Sequence, residues 1–266
     1  MGRLLVLKLG GSLITNKSKP YCLRGGVLKA AAAEAAKCLK DGTVEKLVVV
    51  HGVGSYGHPP VIEHKLYKGF IDPVQLLPLS RTQTKVNELR AEVTTALQDE
   101  DVAVNLFHVS SIAVAKKGHI TSMPLDAIKG YLKVGMIPVL GGDVVADTEM
   151  GFSVGSGDQV AVILAKELGA TDLVFATDVD GVYDSDPKKN PAARLIPEVS
   201  LSKALTSASS TSGDASGAMK GKMGAIAELT PEMKAGLNVS IISMMEPGRL
   251  RGLLHGEPVK ATRIKP

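Results

Sequence analysis

Short apolar runs, separated by turns and helix-like segments, recur along the chain. Leu4–Leu7, Leu47–Val50 and Leu173–Ala176 have the length and composition of buried strands. Between the first two runs, residues 27–39 are rich in alanine and other good helix formers, and Asp41-Gly42 is a typical helix end. A strand, a helix and a second strand at this spacing predict a βαβ unit, and therefore a parallel sheet.

The same kind of pattern predicts the remaining elements. Strands are expected at 102–109, 136–140 and 238–242, and helices at 61–98 (broken near Pro73 and Pro78), 160–168 and 218–235, with a short helix and a strand in the tail. Residues 206–217 are rich in serine and glycine, which is typical of a surface loop. The expected fold class is therefore α/β, with helices packed around a mainly parallel sheet.

Three of the predicted strands end in glycine-rich turns, at Gly10-Gly11-Ser12, at 51–58 (HGVGSYGH) and at Gly141-Gly142-Asp143. Pro59-Pro60 follow the second turn, and because proline is tolerated in the first turn of a helix, a helix is expected to begin there. Free N–H groups and the positive end of the helix dipole then form an anion site. His58 is placed to touch that anion.

Lysines accompany these turns and indicate a site for several phosphates. Lys8 and Lys17 flank the first turn, whereas Lys220 and Lys222 lie at the predicted start of the 218–235 helix, where positive charge is unfavourable for the helix itself. The phosphate-loop sequence G-x-x-x-x-G-K-[ST] is absent, so a different nucleotide-binding fold is required. The alternative for the first turn is a plain Gly-Gly turn with solvated lysines.

Two acidic stretches leave alternatives open. Asp158 opens the 160–168 helix, where it is either a helix N-cap or a ligand-binding residue. Residues 177–184 (TDVDGVYD) resemble part of a calcium loop but lack its later acidic positions, which argues against calcium. A polar loop at the carboxyl end of a parallel strand is instead a common ligand site in α/β proteins.

The bulk composition excludes several classes of protein. The chain has 266 residues and a net charge of +4, without any Lys/Arg run typical of nucleic-acid binding. Cys22 and Cys38 are too few for a disulfide framework and lack metal-ligand spacing. Because no signal-peptide pattern and no apolar run of membrane-spanning length is seen, we expect a soluble cytoplasmic protein without a nucleic-acid or membrane partner.

A dinucleotide-binding motif is one rival interpretation of the second turn. Gly52-x-Gly54-x-x-Gly57 matches the G-x-G-x-x-G fingerprint, with Asp72 near the expected acidic position, and would indicate a nicotinamide-dependent (NAD(P)-binding) oxidoreductase. Two features oppose it. Pro59-Pro60 follow the motif directly, and the fingerprint normally lies in the first strand-to-helix turn of the fold.

Taken in order, the motifs resemble those of the amino acid kinase superfamily, and the resemblance covers nearly the whole chain. They are Lys8–Ser12, His51–His58, Gly141-Gly142-Asp143, Ser156-Gly157-Asp158 and Thr177–Val182. Within this superfamily, the glycine loop that ends in His58, together with Asn16-Lys17 before Pro20-Tyr21, resembles the isopentenyl phosphate kinases.

The resemblance implies a three-layer α/β/α sandwich, the amino acid kinase fold, with residues 1–266 as a single domain. An acceptor-binding lobe is expected at about 1–170 and a nucleotide-binding lobe at about 171–266, and a homodimer is implied. The implied activity is an ATP-dependent phosphotransferase that moves the γ-phosphoryl group, with Mg²⁺ on the ATP phosphates, to isopentenyl phosphate. The product would be isopentenyl diphosphate, for isoprenoid biosynthesis.

A fosfomycin kinase of the same fold is the alternative, because it shares the histidine loop and phosphorylates a phosphonate. The two activities differ mainly in the pocket for the acceptor tail, which is expected to come from the helices between Val61 and Leu97. Three residues depart from the usual pattern. Val53 and Ala218 stand where glycine is common, so the loop geometry at Gly217-Ala218 is left open, and Tyr56 replaces a common phenylalanine.

The resemblance also implies roles for individual residues, none of them a metal ligand. His58 binds the acceptor phosphate, and Gly54, Ser55 and Gly157 line the acceptor side. His58, Lys8 and Lys17 are the implied catalytic residues, and the two lysines neutralise charge on the transferring group. Lys222 is favoured over Lys220 at the phosphates. The implied nucleotide-binding set is Lys8, Gly10, Gly11, Ser12, Asp178, Tyr183, Lys188, Gly217, Lys220 and Lys222.

Overall fold

A computed structural model describes residues 2–202 and 217–266, and fourteen strands are assigned within them. The strands are β1 (Leu4–Leu9), β2 (Lys46–His51), β3 (Val104–Leu106), β4 (Val114–Lys116), β5 (His119–Ser122), β6 (Ile137–Gly141), β7 (Asp143–Asp147), β8 (Gly151–Gly155), β9 (Asp172–Thr177), β10 (Val182–Tyr183), β11 (Leu195–Ile196), β12 (Glu198–Ser200), β13 (Asn238–Ser243) and β14 (Ala261–Lys265). Eight of them form one large sheet in the order β12-β14-β13-β9-β1-β2-β6-β3.

Helices connect these strands and cover the sheet. The α-helices are α1 (Gly11–Ile14), α2 (Gly25–Lys40), α3 (Gly54–Glu63), α4 (Leu76–Gln98), α5 (Val109–Ile112), α6 (Asp126–Lys133), α7 (Gly157–Glu167), α8 (Gly217–Ala227), α9 (Thr230–Lys234) and α10 (Arg249–His255). Short 3₁₀ turns lie at Leu66–Lys68 and Pro73–Gln75. Gly42, with φ of +77°, follows the end of α2, as the sequence predicts.

The large sheet is parallel except where β13 pairs with β14. In the central strand β1, Lys8 lies opposite Val50 of β2 on one side and Phe175 of β9 on the other. The carboxyl ends of β1, β2, β6 and β9 therefore meet at one edge. This is the edge where the glycine turns and the polar 177–184 loop begin.

Side chains that alternate along the strands build a core on each face of the sheet. On one face, Leu5 and Leu7 pack in a buried cluster with residues of α2, α4 and α10. On the other face, Val6 and Phe175 pack in a second cluster with residues of α6, α7, α8 and α9. The molecule is thus a three-layer α/β/α sandwich, as predicted.

A second, smaller sheet of order β5-β4-β7-β8 was not predicted from the sequence. Its strands β4 and β5 precede β6 along the chain, β7 and β8 follow it, and each contains three to five residues. The buried carboxylate of Asp147 stabilises its turns by accepting N–H groups of Gly118 at 2.8 Å and of Glu149 and Met150 at 2.9 Å. Strands this short give only a weak periodic pattern in the sequence, so the pattern does not predict this sheet.

Most predicted elements are confirmed, with small differences at their ends, and three are corrected. Helix α3 begins at Gly54 and not at Pro59, because Gly54 adopts φ of +46° and turns the chain into the helix directly after β2. The strand expected at 102–109 contains only residues 104–106. The helix expected at 218–235 is two helices, α8 and α9.

The serine- and glycine-rich stretch predicted as a loop at 206–217 lies outside the described residues, apart from Gly217. A search of residues 2–202 and 217–266 finds no helix with the length and apolar character needed to cross a membrane.

Candidate active site

A cleft of about 800 Å³ lies along the carboxyl ends of the central strands. It collects most of the residues to which the sequence analysis assigned roles. Those that line it are Lys8, Gly10, Gly11, Ser12, Lys17, Gly54, His58, Gly157, Asp178, Tyr183, Lys188 and Lys222.

The first two glycine turns touch each other at the floor of the cleft. A Cβ atom on Gly11 would lie 2.4 Å from the backbone nitrogen of Gly54, and one on Gly52 would lie 2.6 Å from the nitrogen of Gly11. The Gly52 N–H also donates to the carbonyl of Leu9 at 2.8 Å. Only glycine permits this approach of two backbones, which is why both turns need it.

The third glycine turn closes against the same floor. The Gly142 N–H donates to the carbonyl of His51 at 3.0 Å, and a Cβ atom on Gly157 would lie 2.9 Å from that carbonyl oxygen. Helix α7 begins at Gly157, and Ser156 is its N-cap, with its hydroxyl accepting the Gln159 N–H at 3.2 Å. The N-cap role considered for Asp158 is therefore wrong, and its carboxylate is available for other contacts.

Asp158 holds two lysines in a buried cluster. Its carboxylate lies 2.8 Å from Nζ of Lys8 and 3.0 Å from Nζ of Lys222, and both lysines are buried. Burial alone would raise the pKa of Asp158, but the two ammonium groups outweigh it and lower that pKa to about 2. The Lys222 ammonium also lies 4.2 Å from the centre of the Phe175 ring, a cation–π contact.

Opposing effects set the pKa of Lys222. Burial is the main cause that lowers its pKa, Lys8 adds repulsion, and Asp158 opposes both, with a resulting pKa of about 8. Two positive charges thus face the cleft with one negative charge between them. A phosphate group that entered would favour the charged form of both lysines.

His58 lies on α3, one turn beyond the helix start at Gly54, and is exposed to the cleft. Partial desolvation lowers the pKa of its imidazole, and the charges of Lys17 and Lys8 lower it further. The imidazole is therefore neutral at pH 7 until an anion lies beside it. A phosphate beside the ring would raise this pKa and bind the protonated histidine.

A second charged group also lines the cleft. Nζ of Lys188 lies 2.6 Å from Asp178, whose pKa is lowered by Lys188 and by a hydrogen bond from Ser12 against the opposing effect of burial. Tyr183 donates its hydroxyl to Asp180 at 3.2 Å, and Arg249 pairs with the same carboxylate at 3.2 Å. These residues follow β9, as the polar-loop hypothesis predicts.

One wall of the cleft is apolar. It is formed by side chains of α3, α4, β7 and β8, namely Val61, Val86, Val144 and Val154, with Thr82 among them. The helices between Val61 and Leu97 do therefore contribute to this wall, as expected, and the small sheet adds two residues that the sequence analysis did not foresee.

Two residues of the predicted set lie away from the cleft lining. Ser55 is 2% exposed, and its hydroxyl and backbone bond the segment that carries Lys17. Lys220 is exposed on α8 and does not line the cleft, whereas Lys222 does. Gly217 opens α8. Lys222, which the sequence analysis favoured over Lys220, is thus the one of the two that lines the cleft, and the roles expected for these residues and for Ser55 stay predictions.

Within residues 2–202 and 217–266, no group of three or more His, Cys, Asp or Glu side chains is arranged to hold a metal ion. Asp158 and Asp178, two of the carboxylates that line the cleft, are each paired with lysine.

Comparison with known proteins gives one family. Residues 3–243 match the model of the amino acid kinase family. The chain is 35% identical to isopentenyl phosphate kinase of Methanothermobacter thermautotrophicus over 98% of each protein, and 33% identical to that of Methanocaldococcus jannaschii over 83% of this chain and 85% of that protein. A crystal structure of an isopentenyl phosphate kinase, 32% identical, superposes with a TM-score of 0.82 over 99% of this chain and 100% of that one.

These similarities span the whole cleft and both faces of the sheet. The chain belongs to the amino acid kinase family and, within it, to the isopentenyl phosphate kinases.

Proposed function

We propose that this protein transfers the γ-phosphoryl group of ATP to the phosphate of isopentenyl phosphate, giving isopentenyl diphosphate and ADP for isoprenoid biosynthesis. The observation that carries the proposal is the composition of the cleft. Lys17 and His58 form one charged group beside an apolar wall, and Asp178 and Lys188 form a second charged group in the cleft lining. A phosphate with a hydrocarbon tail fits the first group, and a nucleotide fits the second.

The reaction brings two anions together, and the cleft supplies the positive charge this requires. Acceptor phosphate oxygens are already ionised, so no strong general base is needed. What is needed is in-line placement, with cations where charge develops on the transferring group. Lys8 and Lys222, which Asp158 holds in the cleft lining, supply that charge. Lys17 adds to it from the acceptor side.

On the acceptor side, His58 would donate a hydrogen bond to the phosphate once an anion has raised its pKa. The N–H groups of Gly54 and Gly157, the first residues of α3 and α7, would add donors. The five-carbon tail would then pack against the apolar wall of Val61, Val86, Val144 and Val154. Fosfomycin is small and polar and gains little from such a wall, so the apolar wall favours isopentenyl phosphate.

On the nucleotide side, ATP would bind along Gly10, Gly11 and Ser12 and the loop that follows β9, within reach of Tyr183, Lys188 and Lys222. Mg²⁺, when present, would supply further neutralisation of the charge on the ATP phosphates. Because Asp158 and Asp178 are each paired with lysine, the ion is expected to enter with ATP. We further propose that residues 1–170 form the acceptor lobe and residues 171–266 the nucleotide lobe of this single domain.

The homodimer also remains a prediction. Seven exposed apolar side chains within residues 62–77 offer a surface for it: Ile62, Tyr67, Phe70, Ile71, Val74, Leu76 and Leu77. Sedimentation velocity of the wild type and of Val74→Glu tests this, with a monomeric wild type contradicting it. The cytoplasmic location stays a prediction as well.

The first test is Mg²⁺-ATP-dependent release of ADP with isopentenyl phosphate and, in parallel, with fosfomycin at matched concentrations. Strong turnover with isopentenyl phosphate, and isopentenyl diphosphate as product, is expected. Preference for fosfomycin would keep the fold and the role of His58 but change the acceptor. Absence of turnover with both would overturn the proposed acceptor.

The role of His58 is tested by His58→Ala. We expect turnover to fall by about 100-fold, the usual effect of removing one group that stabilises developing charge, while ATP binding survives. His64→Ala is the matched control, because His64 ends the same helix α3 and does not line the cleft. A loss of ATP affinity as large as the loss of rate would reject this role.

A further inference from the structure

The segment that carries Lys17 is a closed hairpin, residues 15–23, hereafter the Lys17 hairpin. Thr15 and Leu23 form an isolated antiparallel bridge at its base. Next to the bridge, the Asn16 N–H donates to the carbonyl of Cys22 at 2.8 Å. The hairpin therefore moves or stays fixed as one unit.

Lys17 lies at the exposed tip of this hairpin. In the part of the chain that the structure describes, its side chain makes no hydrogen bond or ion pair, and the tip is shaped by Asn16, whose side-chain oxygen accepts from the N–H of Ser18 at 3.0 Å and from its hydroxyl at 2.7 Å. The position of Lys17 over the cleft therefore depends on how the whole hairpin is attached to the protein.

Ser55 attaches it. The hydroxyl of Ser55 accepts the Cys22 N–H at 3.1 Å, its carbonyl accepts the Tyr21 N–H at 3.1 Å, and its own N–H donates to the hydroxyl of Thr15 at 3.0 Å. Both ends of the hairpin thus bond to one residue. Ser55 is 2% exposed, so these bonds are shielded from water.

A proline on α3 makes one of these bonds possible. In a regular helix the carbonyl of Ser55 would accept the N–H of residue 59, but Pro59 has no N–H. The carbonyl is left for Tyr21, which adopts φ of +52°, an uncommon conformation for a residue other than glycine. The Tyr21 ring also packs edge-on against Tyr56, with ring centres 5.9 Å apart. The strained conformation is thus held by contacts on both sides.

His58 lies on the same helical turn, three residues after Ser55. We propose that Ser55 is a positioning residue: it fixes the Lys17 hairpin on α3, and so sets the place of Lys17 relative to His58, without touching the acceptor itself. The inference rests on the proposed function and assigns Ser55 a different part in it. Phosphoryl transfer depends on how closely cations and reacting groups are placed, so a loosened hairpin lowers the rate while the nucleotide still binds.

A double-mutant cycle tests the proposal. Ser55→Ala removes the hydroxyl and keeps the backbone bonds. We expect kcat to fall by about 10-fold, within the range that small misplacements produce, with the KM for ATP unchanged. In the Lys17→Ala background, Ser55→Ala should add no further loss, because it acts through Lys17. If the two losses multiply, Ser55 acts on the acceptor directly and the proposal is overturned.

Hydrogen exchange supplies a readout that does not depend on activity. The Cys22 amide donates to the Ser55 hydroxyl, so its exchange should be about 10-fold faster in Ser55→Ala, with the global melting temperature little changed. Ser18→Ala is the matched control, since Ser18 lies on the same hairpin and bonds Asn16 alone among the described residues; its kcat and Cys22 exchange should equal those of the wild type.

The two proposals fail in different ways. If the wild type does not phosphorylate isopentenyl phosphate, the proposed function fails, and the exchange of Cys22 alone decides whether Ser55 anchors the hairpin. If the wild type is active but Cys22 exchange is unchanged in Ser55→Ala, the anchor is overturned and the kinase activity stands.

Discussion

The cleft contains two kinds of cation. Lys8 and Lys222 are buried, with 8% and 6% of their surface exposed, and share the carboxylate of Asp158. Lys17 and Lys188 lie at the rim, and the side chain of Lys188 is 64% exposed although it pairs with Asp178. Lysine ammonium groups thus lie in two environments, buried and exposed, within one cleft.

The difference shows where charge is expected to act on the reaction and where it acts on binding. Near a protein interior, a pair of charges interacts about four times more strongly than in bulk water. The buried lysines are also fixed before any ligand arrives, so no reorganisation is needed during the reaction. An exposed lysine is screened by solvent and loses side-chain freedom when it is held. Buried cations should therefore have the largest effect on the rate, and the exposed Lys188 should adjust the affinity for ATP.

The largest effect is expected for Asp158→Asn, because it leaves two buried ammonium groups without a counter-charge. Removing one partner of a buried ion pair costs about 3–5 kcal/mol, to be measured by urea unfolding at pH 7. The pKa of Asp158 in the folded state, about 2, lies below its ordinary value of 3.8. Its contribution is therefore present above pH 3.8 and is lost as the pH falls towards 2, so the deficit of the variant should shrink on acidification.

Glu167→Gln is the control for this measurement, because Glu167 is an exposed carboxylate on the same helix α7. Its free energy of unfolding should change by less than about 0.5 kcal/mol. An equal effect of the two substitutions would show that Lys8 and Lys222 do not need Asp158, and the contrast between buried and rim cations would then lose its structural basis.

Lys8→Met is expected to have the next largest effect, on the rate alone. Removal of a preorganised charge at the transferring group should lower kcat by about 100- to 1000-fold. The fold should tolerate the change, because methionine fills a similar volume and the repulsion between Lys8 and Lys222 disappears. Steady-state kinetics with both substrates saturating would measure the effect. A rate loss that high ATP concentration restores would instead place Lys8 among the affinity-setting cations.

Much of the fold and of the cleft could be predicted from the sequence, because a short stretch of residues is enough to predict a strand or a turn. The run Leu4–Leu9 and the glycines after it predict both a strand and its turn, and parallel strands bring such turns to one edge. The membership of Lys8, Lys17, His58 and Asp178 in one cleft follows from that topology. Their individual roles are still predictions.

The features that were not predicted from the sequence depend on contacts between segments that are distant along the chain. Asp158 and Lys222 are 64 residues apart, and no local pattern indicates that one carboxylate holds two lysines. Ser55 lies in the expected acceptor loop, yet its partners are Thr15 and Cys22 on a hairpin whose path is set by tertiary packing. The start of α3 was missed because the backbone of Gly54, and not the prolines, makes the turn.

The pH dependence of kcat/KM for ATP is a third test of the comparison between buried and exposed lysines. Lys222 attracts phosphate only when protonated, and its pKa is lowered to about 8, chiefly by burial. As the pH rises above 8, kcat/KM for ATP should fall about tenfold per pH unit, because this ratio reports the free enzyme. Lys222→Arg should lose this alkaline decline, since a guanidinium stays protonated. A decline that persists unchanged in the variant would assign it to another group.

The smallest effect is expected for Lys188→Ala. The side chain of Lys188 is 64% exposed in its ion pair with Asp178, so the free energy of unfolding should change by less than about 1 kcal/mol. The KM for ATP should rise only a few-fold, with kcat unchanged. At about 1 M salt, where charges are screened within about 3 Å, this difference from the wild type should vanish. The deficit of Lys8→Met should persist there, because buried charges are screened much less.

Lys29→Ala is the control, since Lys29 is an exposed lysine on α2 that does not line the cleft, and it should match the wild type throughout. The informative result is a large loss of kcat in Lys188→Ala that survives high salt. Burial would then not be what separates the two kinds of cation. Lys188 would have to move from the rim onto the transferring phosphate during turnover, and its position along the reaction path would decide its effect.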